Sequence, residues 1–356
     1  MAIRRITVSR DDSIYEAWPD VAMTESGKLI AVFTECEHHQ NRNNSRLMLT
    51  ESLDRGETWG KKVAFTERSS NDRIGEIGGS PYYNCARIGR LRNGRMYLLC
   101  DRIYGRESPE MRSELHLWLG DAEGKVWDEP ITLPLVGIVP DKILELDSGR
   151  IIVSAHFAHP ETKKLTQYLI YSDDGMKTWS APVTVASDPG MNLCEASLLA
   201  HEGVIVAFLR ENSRLGYDIL KTVSYDGGES WSRLAPTPMD CGHRPVAGKL
   251  ADGRVMVTYR YIPYSTQNLF AALLRAEDLT KSERREQTVR IMPLDYDRNP
   301  SPDLGYTGWV QLDDGEIFVI HYIKDDAEKA QIRGYKFRPE DIEFPRTEQT
   351  SQNVFK

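Results

Sequence analysis

The sequence predicts an all-β fold, a six-bladed β-propeller built from four-stranded antiparallel blades. One pattern recurs six times along the 356 residues: a short apolar run, a turn that contains glycine, and a second apolar run. Successive turn glycines stand 50 to 67 residues apart, which suits four strands and their loops. No amphipathic stretch of helical length separates the copies, so the pattern excludes helical repeats. The turn glycines are Gly27, Gly94, Gly149, Gly203, Gly253 and Gly315.

Each copy predicts a β-hairpin. The residue before the turn glycine is acidic, Asn or Ser, and such residues suit tight turns with positive φ. The flanking runs are rich in Val, Ile, Leu and Tyr, as strands prefer. In the last blade, residues 331–337 supply a third strand, and residues 4–10 pair beside it as the outer strand. This pairing closes the ring and removes a free sheet edge.

A second motif of eight residues falls between the hairpins, at 52–59, 172–179 and 224–231, with a degenerate copy at 120–127. It reads S-x-D-x-G-x-T-W, with Ser for Thr in the copy at 224–231 and with the glycine one position earlier in the copy at 172–179. The Ser and Asp oxygens can accept backbone N–H groups in the turn between the third and fourth strands of a blade. The Gly tolerates the bend and the Trp covers the blade core. We therefore expect these carboxylates to fix turns and to take no part in catalysis.

The composition excludes several function classes. The net charge is −8 and no Lys/Arg-rich tract is present, which argues against nucleic acid as a partner. No window of 18 apolar residues exists to span a membrane. The N-terminus carries no apolar stretch, and five cysteines form no CxxC, so we expect free thiols, a cytoplasmic location and no metal site. No motif indicates a nucleotide, flavin or haem cofactor. Residues 1–356 are expected to form one domain, with a polar tail at 343–356, and the oligomeric state is left open.

The geometry of a propeller predicts which polar residues lie together at one face of the ring. The first strand of every blade runs along the central channel, so residues just before it, and just after the second strand, gather at one face. Polar or aromatic residues occupy nearly all twelve of these positions, which favours a functional pocket. Those before the first strands include Trp18, Asp141, Glu195, His243, Arg244 and Tyr306. Those after the second strands include His39, Asp101, Arg102, Arg210 and Arg260.

The sequence resembles the sialidase superfamily along nearly its whole length, through the six hairpins and the Asp-boxes, as the eight-residue motif is known there. In that family a glutamate precedes a middle strand, a triad arginine ends the next strand, and a tyrosine nucleophile precedes a late strand. The resemblance places Glu195 (NLCEASLL), Arg210 (AFLREN) and Tyr306 (GYTGWVQL) in these roles. It implies a Tyr–Glu pair in which the carboxylate takes the phenolic proton.

Two positions depart from the family. Its first arginine lies in an R-I-P motif, where residues 17–19 of this sequence read AWP. Its acid is an aspartate in the loop after the second strand of the first blade, where residues 37–39 read EHH. Arg244 and Arg260 are candidates for the third triad arginine. The triad clamps the carboxylate of sialic acid, so sialidase activity itself is not expected.

We expect an enzyme, an exo-acting glycosidase on a terminal acidic or deoxy sugar of an oligosaccharide or glycoconjugate. Tyr306 and Glu195 would form the nucleophile system, and Asp141 or His39 would donate a proton. The substrate would be bound by Arg210, Arg244, His243, Arg260, Asp101, Arg102 and Trp18. One alternative is β-elimination at a uronate, in which an arginine neutralises the carboxylate and a Tyr or His removes the α-proton. Another is a glycan-binding propeller without chemistry.

Overall fold

The computed structural model describes residues 3–42, 44–69, 81–105, 111–216 and 218–342. It is a ring of six antiparallel blades, as predicted, each with four strands in pairing order from the channel outward. The second blade contains an additional short strand at its inner edge, which pairs with the same neighbour as the innermost strand. The predicted tail at 343–356 lies outside the described residues, and the assignment of 1–356 to a single domain stays a prediction.

The first three blades use strands β2 to β14. Blade 1 contains β2 (Tyr15–Met23), β3 (Leu29–Cys36), β4 (Arg46–Ser52) and β5 (Val63–Ala64). Blade 2 contains β6 (Tyr82–Tyr83), β7 (Arg87–Arg90), β8 (Met96–Tyr104), β9 (Arg112–Leu119) and β10 (Ile131–Leu133). Blade 3 contains β11 (Leu144–Glu145), β12 (Ile151–Ala158), β13 (Leu165–Ser172) and β14 (Val183–Ala186).

The last three blades complete the ring. Blade 4 contains β15 (Leu193–His201), β16 (Val204–Glu211), β17 (Leu220–Ser224) and β18 (Ala235–Pro236). Blade 5 contains β19 (Gly242–Lys249), β20 (Val255–Tyr261), β21 (Asn268–Leu274) and β22 (Val289–Tyr296). Blade 6 contains β23 (Leu304–Gln311), β24 (Ile317–Ile323), β25 (Gln331–Phe337) and the N-terminal strand β1 (Arg4–Ser9). Short helical turns occupy Ala276–Asp278, Arg284–Glu286 and Pro339–Ile342.

The core is a ring of six apolar clusters, and each cluster lies between two neighbouring blades. The cluster between blades 6 and 1 joins Phe33 to Phe318, both fully buried. Strand β1 pairs with β25 from Arg4 to Ser9 and closes the ring as expected. All five cysteines are free, as predicted. No helix in the described ranges is long and apolar enough to cross a membrane, and the cytoplasmic location stays a prediction.

The eight-residue motifs fix turns, as the sequence predicted. In the first copy the Gly56 amide donates to the Ser52 hydroxyl at 2.8 Å, and that hydroxyl donates to Asp54 at 2.8 Å. The same pair of bonds recurs in the copies at 172–179 and 224–231. These carboxylates are therefore occupied by the turn and lie away from the channel face.

The glycine of the motif also permits close packing between blades. A Cβ on Gly56 would lie 2.9 Å from the Phe318 ring of blade 6, and one on Gly124 would lie 2.6 Å from Ile30 of blade 1. Both glycines have positive φ. The turn of one blade therefore rests directly on the blade before it, and a side chain there would force the two apart.

Replacing Gly56 by Ala should cost more stability than replacing Gly27 by Ala. Both glycines have nearly the same φ, +84° and +85°, but nothing lies within 4 Å of a Cβ at Gly27. The difference isolates overpacking against Phe318, which we expect to lower the free energy of unfolding by a further 1–3 kcal/mol or so, about the usual cost of excess volume in a core. Urea denaturation of the two variants measures it, and equal losses would contradict the packing role.

Candidate active site

Inner strands of four blades share a backbone feature at the positions that the sequence analysis singled out. Trp18, Glu195, Arg244 and Tyr306 all have left-handed φ, between 39° and 54°. The strand register shifts at each of them, so each lies in a β-bulge of the first strand of its blade. Left-handed φ is uncommon in residues other than glycine and costs free energy, so its repetition in four blades marks these positions as functional candidates.

Three of the predicted residues meet at Glu195. Nη1 of Arg210 donates to both carboxylate oxygens of Glu195, at 2.9 and 3.0 Å. The Tyr306 hydroxyl, from blade 6, donates to the same carboxylate. Nη2 of Arg210 donates to Asn212 at 2.7 Å, which fixes the guanidinium from its other side. The structure therefore joins Tyr306, Glu195 and Arg210 in one hydrogen-bonded relay, the three residues to which the resemblance gave the roles of nucleophile, base and triad arginine.

The electrostatics of this relay set its resting protonation. Burial acts to raise the pKa of the Glu195 carboxyl, but the Arg210 guanidinium, followed by His156 and Arg244, holds that pKa well below its usual range. Burial, and then the charge of Glu195, raise the pKa of Tyr306 well above its usual value. The resting pair is an ionised carboxylate and a neutral phenol. Tyr306 can act as a nucleophile only as its proton passes to Glu195.

Two further arginines flank Tyr306. The guanidinium carbons of Arg244 and Arg260 lie 5.7 and 5.6 Å from the centre of its ring. Arg244 is fully buried and donates to the carbonyl of Pro140 at 2.8 Å, whereas its Nε and Nη1 have no partner among the described residues. Arg260 donates to the carbonyl of Leu304 at 3.1 Å, and its Nε is likewise unpartnered. Buried N–H groups normally find acceptors, so both side chains retain capacity to bind an anion or water.

A cavity of about 740 Å³ opens beside these residues. Four cationic side chains and two acidic ones line it, so its wall is positive although the chain as a whole is negative. Glu195 and Tyr306 do not line the cavity; they connect to it through Arg210 and Arg260, which do. The charged lining residues are Arg210, Arg214, Arg260, Lys324, Glu211 and Asp303.

His39 lines the same cavity and pairs with a carboxylate that the sequence analysis missed. Its Nδ1 lies 3.0 and 3.2 Å from the two carboxylate oxygens of Asp303. Tyr15 and Tyr322 also donate to Asp303. Burial lowers the pKa of His39 below its usual 6.5; the hydrogen bond and charge of Asp303 oppose this, and Arg42 lowers the pKa further. Asp303 directly precedes the first strand of blade 6, the class of position that located the other candidates.

His243 also lines the cavity, with its Nδ1 3.5 Å from Nη2 of Arg260. Burial, with the charges of Arg210 and Arg260, lowers the pKa of His243 to about 3, so the ring is neutral at physiological pH. Trp18 does not line the cavity and is only 3% exposed, because the Arg42 guanidinium covers its ring at 3.4 Å. The indole therefore supports its neighbours and offers no open face for a sugar.

The structure places Asp141 and Asp101 between blades. Asp141 is buried, and its carboxylate accepts the Leu198 amide of the next blade at 2.7 Å. Asp101, fully buried, accepts the amides of Cys85 at 2.9 Å and Val139 at 3.0 Å. These bonds join neighbouring inner segments, and neither carboxylate lines the cavity. We leave both out of the proposed site.

Arg102 lies elsewhere. Its guanidinium carbon lies 5.7 Å from the ring centre of Tyr83 and 5.4 Å from that of Tyr104. It lines a second cavity, of about 670 Å³, together with residues of blades 1 and 2. It does not meet the other predicted substrate-binding residues. Within the described residues, no group of three or more His, Cys, Asp or Glu side chains is arranged to hold a metal ion.

Several solved structures of other proteins have a fold similar to that of this chain. A protein of unknown function from Dyadobacter fermentans DSM 18053 is 23% identical, with a TM-score of 0.75 over 94% of this chain and 98% of that one. The Hadza microbial sialidase Hz136 is 16% identical, with a TM-score of 0.69 over 92% of this chain and 66% of that one. The intramolecular trans-sialidase from Ruminococcus gnavus is 16% identical, with a TM-score of 0.65 over 93% and 96%.

No curated protein sequence matches the chain significantly. The BNR repeat-like domain family, in contrast, matches residues 132–319, more than half of the chain. This match covers the hairpins and Asp-boxes of the third and fourth blades, the repeats on which the sequence prediction rested. Together with the six-bladed ring that it shares with sialidases, the match shows that the chain belongs to the BNR repeat-like domain family and has a sialidase-like fold.

Proposed function

We propose that the chain is an exo-acting glycoside hydrolase that removes a terminal acidic sugar from an oligosaccharide or glycoconjugate. The observation that carries the proposal is the Tyr306–Glu195–Arg210 relay beside a cation-lined cavity. A binding module needs cations and aromatic walls, but it does not need a partly buried phenol that donates to an ionised carboxylate. That pairing is the arrangement of an activated nucleophile.

The reaction would proceed in two steps. The Tyr306 oxygen bonds to the anomeric carbon while its proton passes to Glu195, and the glycosidic C–O bond breaks. The leaving oxygen takes a proton from His39, which lines the cavity. In the second step water attacks the anomeric carbon as its proton passes to the now neutral His39, the bond to Tyr306 breaks, and the phenolate takes its proton back from Glu195. Arg210 holds Glu195 in place throughout through its two bonds to the carboxylate.

The substrate's charge would be recognised mainly by Arg260, with Arg210 and His243 beside it. Arg260 lines the cavity and retains a buried N–H without a partner. Arg244 is fully buried, so we propose that it supports Tyr306 and Glu195 and does not contact the substrate directly. In the resemblance to the sialidase superfamily, Ala17 stands at the position of the first triad arginine. We therefore propose an acidic sugar other than a sialoside.

One observation favours a second candidate, β-elimination at a uronate. The lowered pKa of His39 leaves its imidazole neutral at physiological pH, which suits a general base better than a general acid. The base would take the proton next to the carboxyl group while Arg260 neutralises that carboxylate. The electron pair would form a carbon–carbon double bond as the glycosidic oxygen leaves.

Tyr306→Phe and Glu195→Gln should each lower kcat for hydrolysis by about 10²-fold or more, the usual contribution of a positioned proton-transfer group. The assay uses oligosaccharides with sialoside, rhamnoside and uronate ends, and follows both released sugar and the ultraviolet absorbance of an unsaturated uronate. The matched control is Tyr225→Phe, at a 67% exposed position in an Asp-box turn, which should stay within about twofold of the parent protein.

If the Tyr306→Phe variant still released sugar at the parent rate, the proposed role of Tyr306 as nucleophile would be wrong. A rise in the ultraviolet absorbance of an unsaturated uronate would show that the protein is a lyase. Binding without turnover across the whole set of sugars would support the glycan-binding propeller and overturn both enzymatic proposals.

The pH profile separates the two reactions, because they need opposite protonation states of His39. Hydrolysis needs the imidazolium, so kcat/KM should be highest below the lowered pKa of His39 and fall about tenfold per pH unit above it. Elimination needs the neutral ring, so kcat/KM should rise through the same pKa and then level. Glu195 and Tyr306 titrate well outside this range. Measurement from about pH 4 to 8 checks the slope, and a His39→Gln variant that keeps the slope would exclude His39.

A further inference from the structure

We infer that Asp303 is a positioning residue that holds His39 as its Nδ1–H tautomer and leaves Nε2 as the nitrogen that exchanges a proton. The catalytic consequence of this arrangement rests on the proposed function, whereas the tautomer itself does not. Sequence reasoning had given His39 a role without a partner, and no other acid in the described part of the chain contacts it.

The tautomer follows from what surrounds Nδ1. An ionised carboxylate can only accept hydrogen bonds, and both oxygens of Asp303 lie within 3.2 Å of Nδ1. The Tyr15 hydroxyl lies 3.2 Å from Nδ1 and donates its own proton to Asp303, so it too presents lone pairs to the ring. A bare Nδ1 would therefore face three acceptors. A proton on Nδ1 removes this repulsion and is donated to the Asp303 carboxylate.

Asp303 is itself held firmly. Its backbone amide donates to Asp297 at 2.9 Å, and the same Asp297 carboxylate accepts the amides of Asn299 and Asp325, each at 2.9 Å. The Tyr322 hydroxyl donates to the Asp303 side chain at 3.2 Å. Backbone and side chain are both fixed before any substrate arrives. A second group that fixes the tautomer and orientation of a working imidazole is the arrangement seen in many histidine sites.

The charges around His39 make Asp303 the group that sustains its basicity. Arg42 and Arg260 both disfavour the imidazolium, as does burial, and Asp303 opposes them. Arg42 is held over the Trp18 ring, whose edge-on contact with His39 has a centroid separation of 5.3 Å. Removing the carboxylate would leave only groups that lower the pKa of the ring. Asp303 thus controls both which nitrogen carries the proton and the pH at which the second proton binds.

The 356-residue protein, with its histidines labelled with ¹⁵N, allows a direct test by long-range ¹H–¹⁵N NMR between about pH 4 and 8. His39→Gln assigns the signal. Above the pKa of His39 we expect a protonated Nδ1 and a bare Nε2. Asp303→Asn should shift the ring towards Nε2–H and lower its pKa by about 1 unit or more, the usual effect of losing an opposite charge at this distance. The inflection in the kcat profile should move with it, and kcat should fall about tenfold or more.

The matched control is Asp326→Asn, at an exposed aspartate that pairs with Arg10, which should leave the tautomer and pKa of His39 unchanged. An Nε2–H tautomer in the parent protein would overturn the inference, and this measurement does not depend on the folding of an Asp303 variant. An Asp303→Asn variant that folds but keeps the parent tautomer and pKa would overturn it as well. Because the spectra need no substrate, a protein inactive on every sugar would refute the proposed function and leave the dyad standing.

Discussion

The pairing of β1 with β25 is the interaction on which the site depends. It closes the ring and seats blade 1 against blade 6, so that Phe33 and Phe318 share one cluster. Closure also brings the His39 loop of blade 1 to Asp303 of blade 6, a separation of 264 residues in sequence. Without it, the relay of Tyr306 and Glu195 would lose the histidine to which we assign proton exchange.

Most of the fold, and part of the site, could be predicted because their signals are local. Turn glycines and Asp-boxes act over a few residues, so their pattern survives in one sequence. Asp303 was missed because its role exists only through a contact made when the ring closes. The position of Asp141 before the first strand of blade 3 predicted an acid that faces the channel. The partner of such a side chain depends on the direction in which it points, which position along the chain does not determine. Asp141 meets the Leu198 amide, and no pattern in the sequence specifies that bond.

The inner-strand bulges explain why position alone was an incomplete guide. A bulge inserts one residue and reverses the alternation of side chains beyond it. Side chains that a regular strand would place on the same face therefore lie on opposite faces. In blade 4 the bulge at Glu195 turns this carboxylate to Arg210, while Ser197, past the bulge, accepts the Ala247 amide of the next blade at 3.0 Å. Left-handed backbone costs roughly 1–3 kcal/mol at each site. Bonds between inner strands, such as this one, hold the strained backbone in place.

The charge balance at the base of the cavity argues for an anionic substrate independently of any reaction. Around Tyr306 one carboxylate, Glu195, faces three guanidinium groups, those of Arg210, Arg244 and Arg260. Arg210 bonds directly to Glu195, whereas Arg244 and Arg260 hydrogen-bond to carbonyls and to a neutral histidine. The charges of Asp141 and Glu195 act on Arg244, and that of Asp303 acts on Arg260. Arg260 lines the cavity and keeps an N–H without a hydrogen-bond partner, and a carboxylate on the substrate would supply that partner. This donor, together with the mostly cationic charged lining of the cavity, favours an acidic sugar as the ligand of the proposed site.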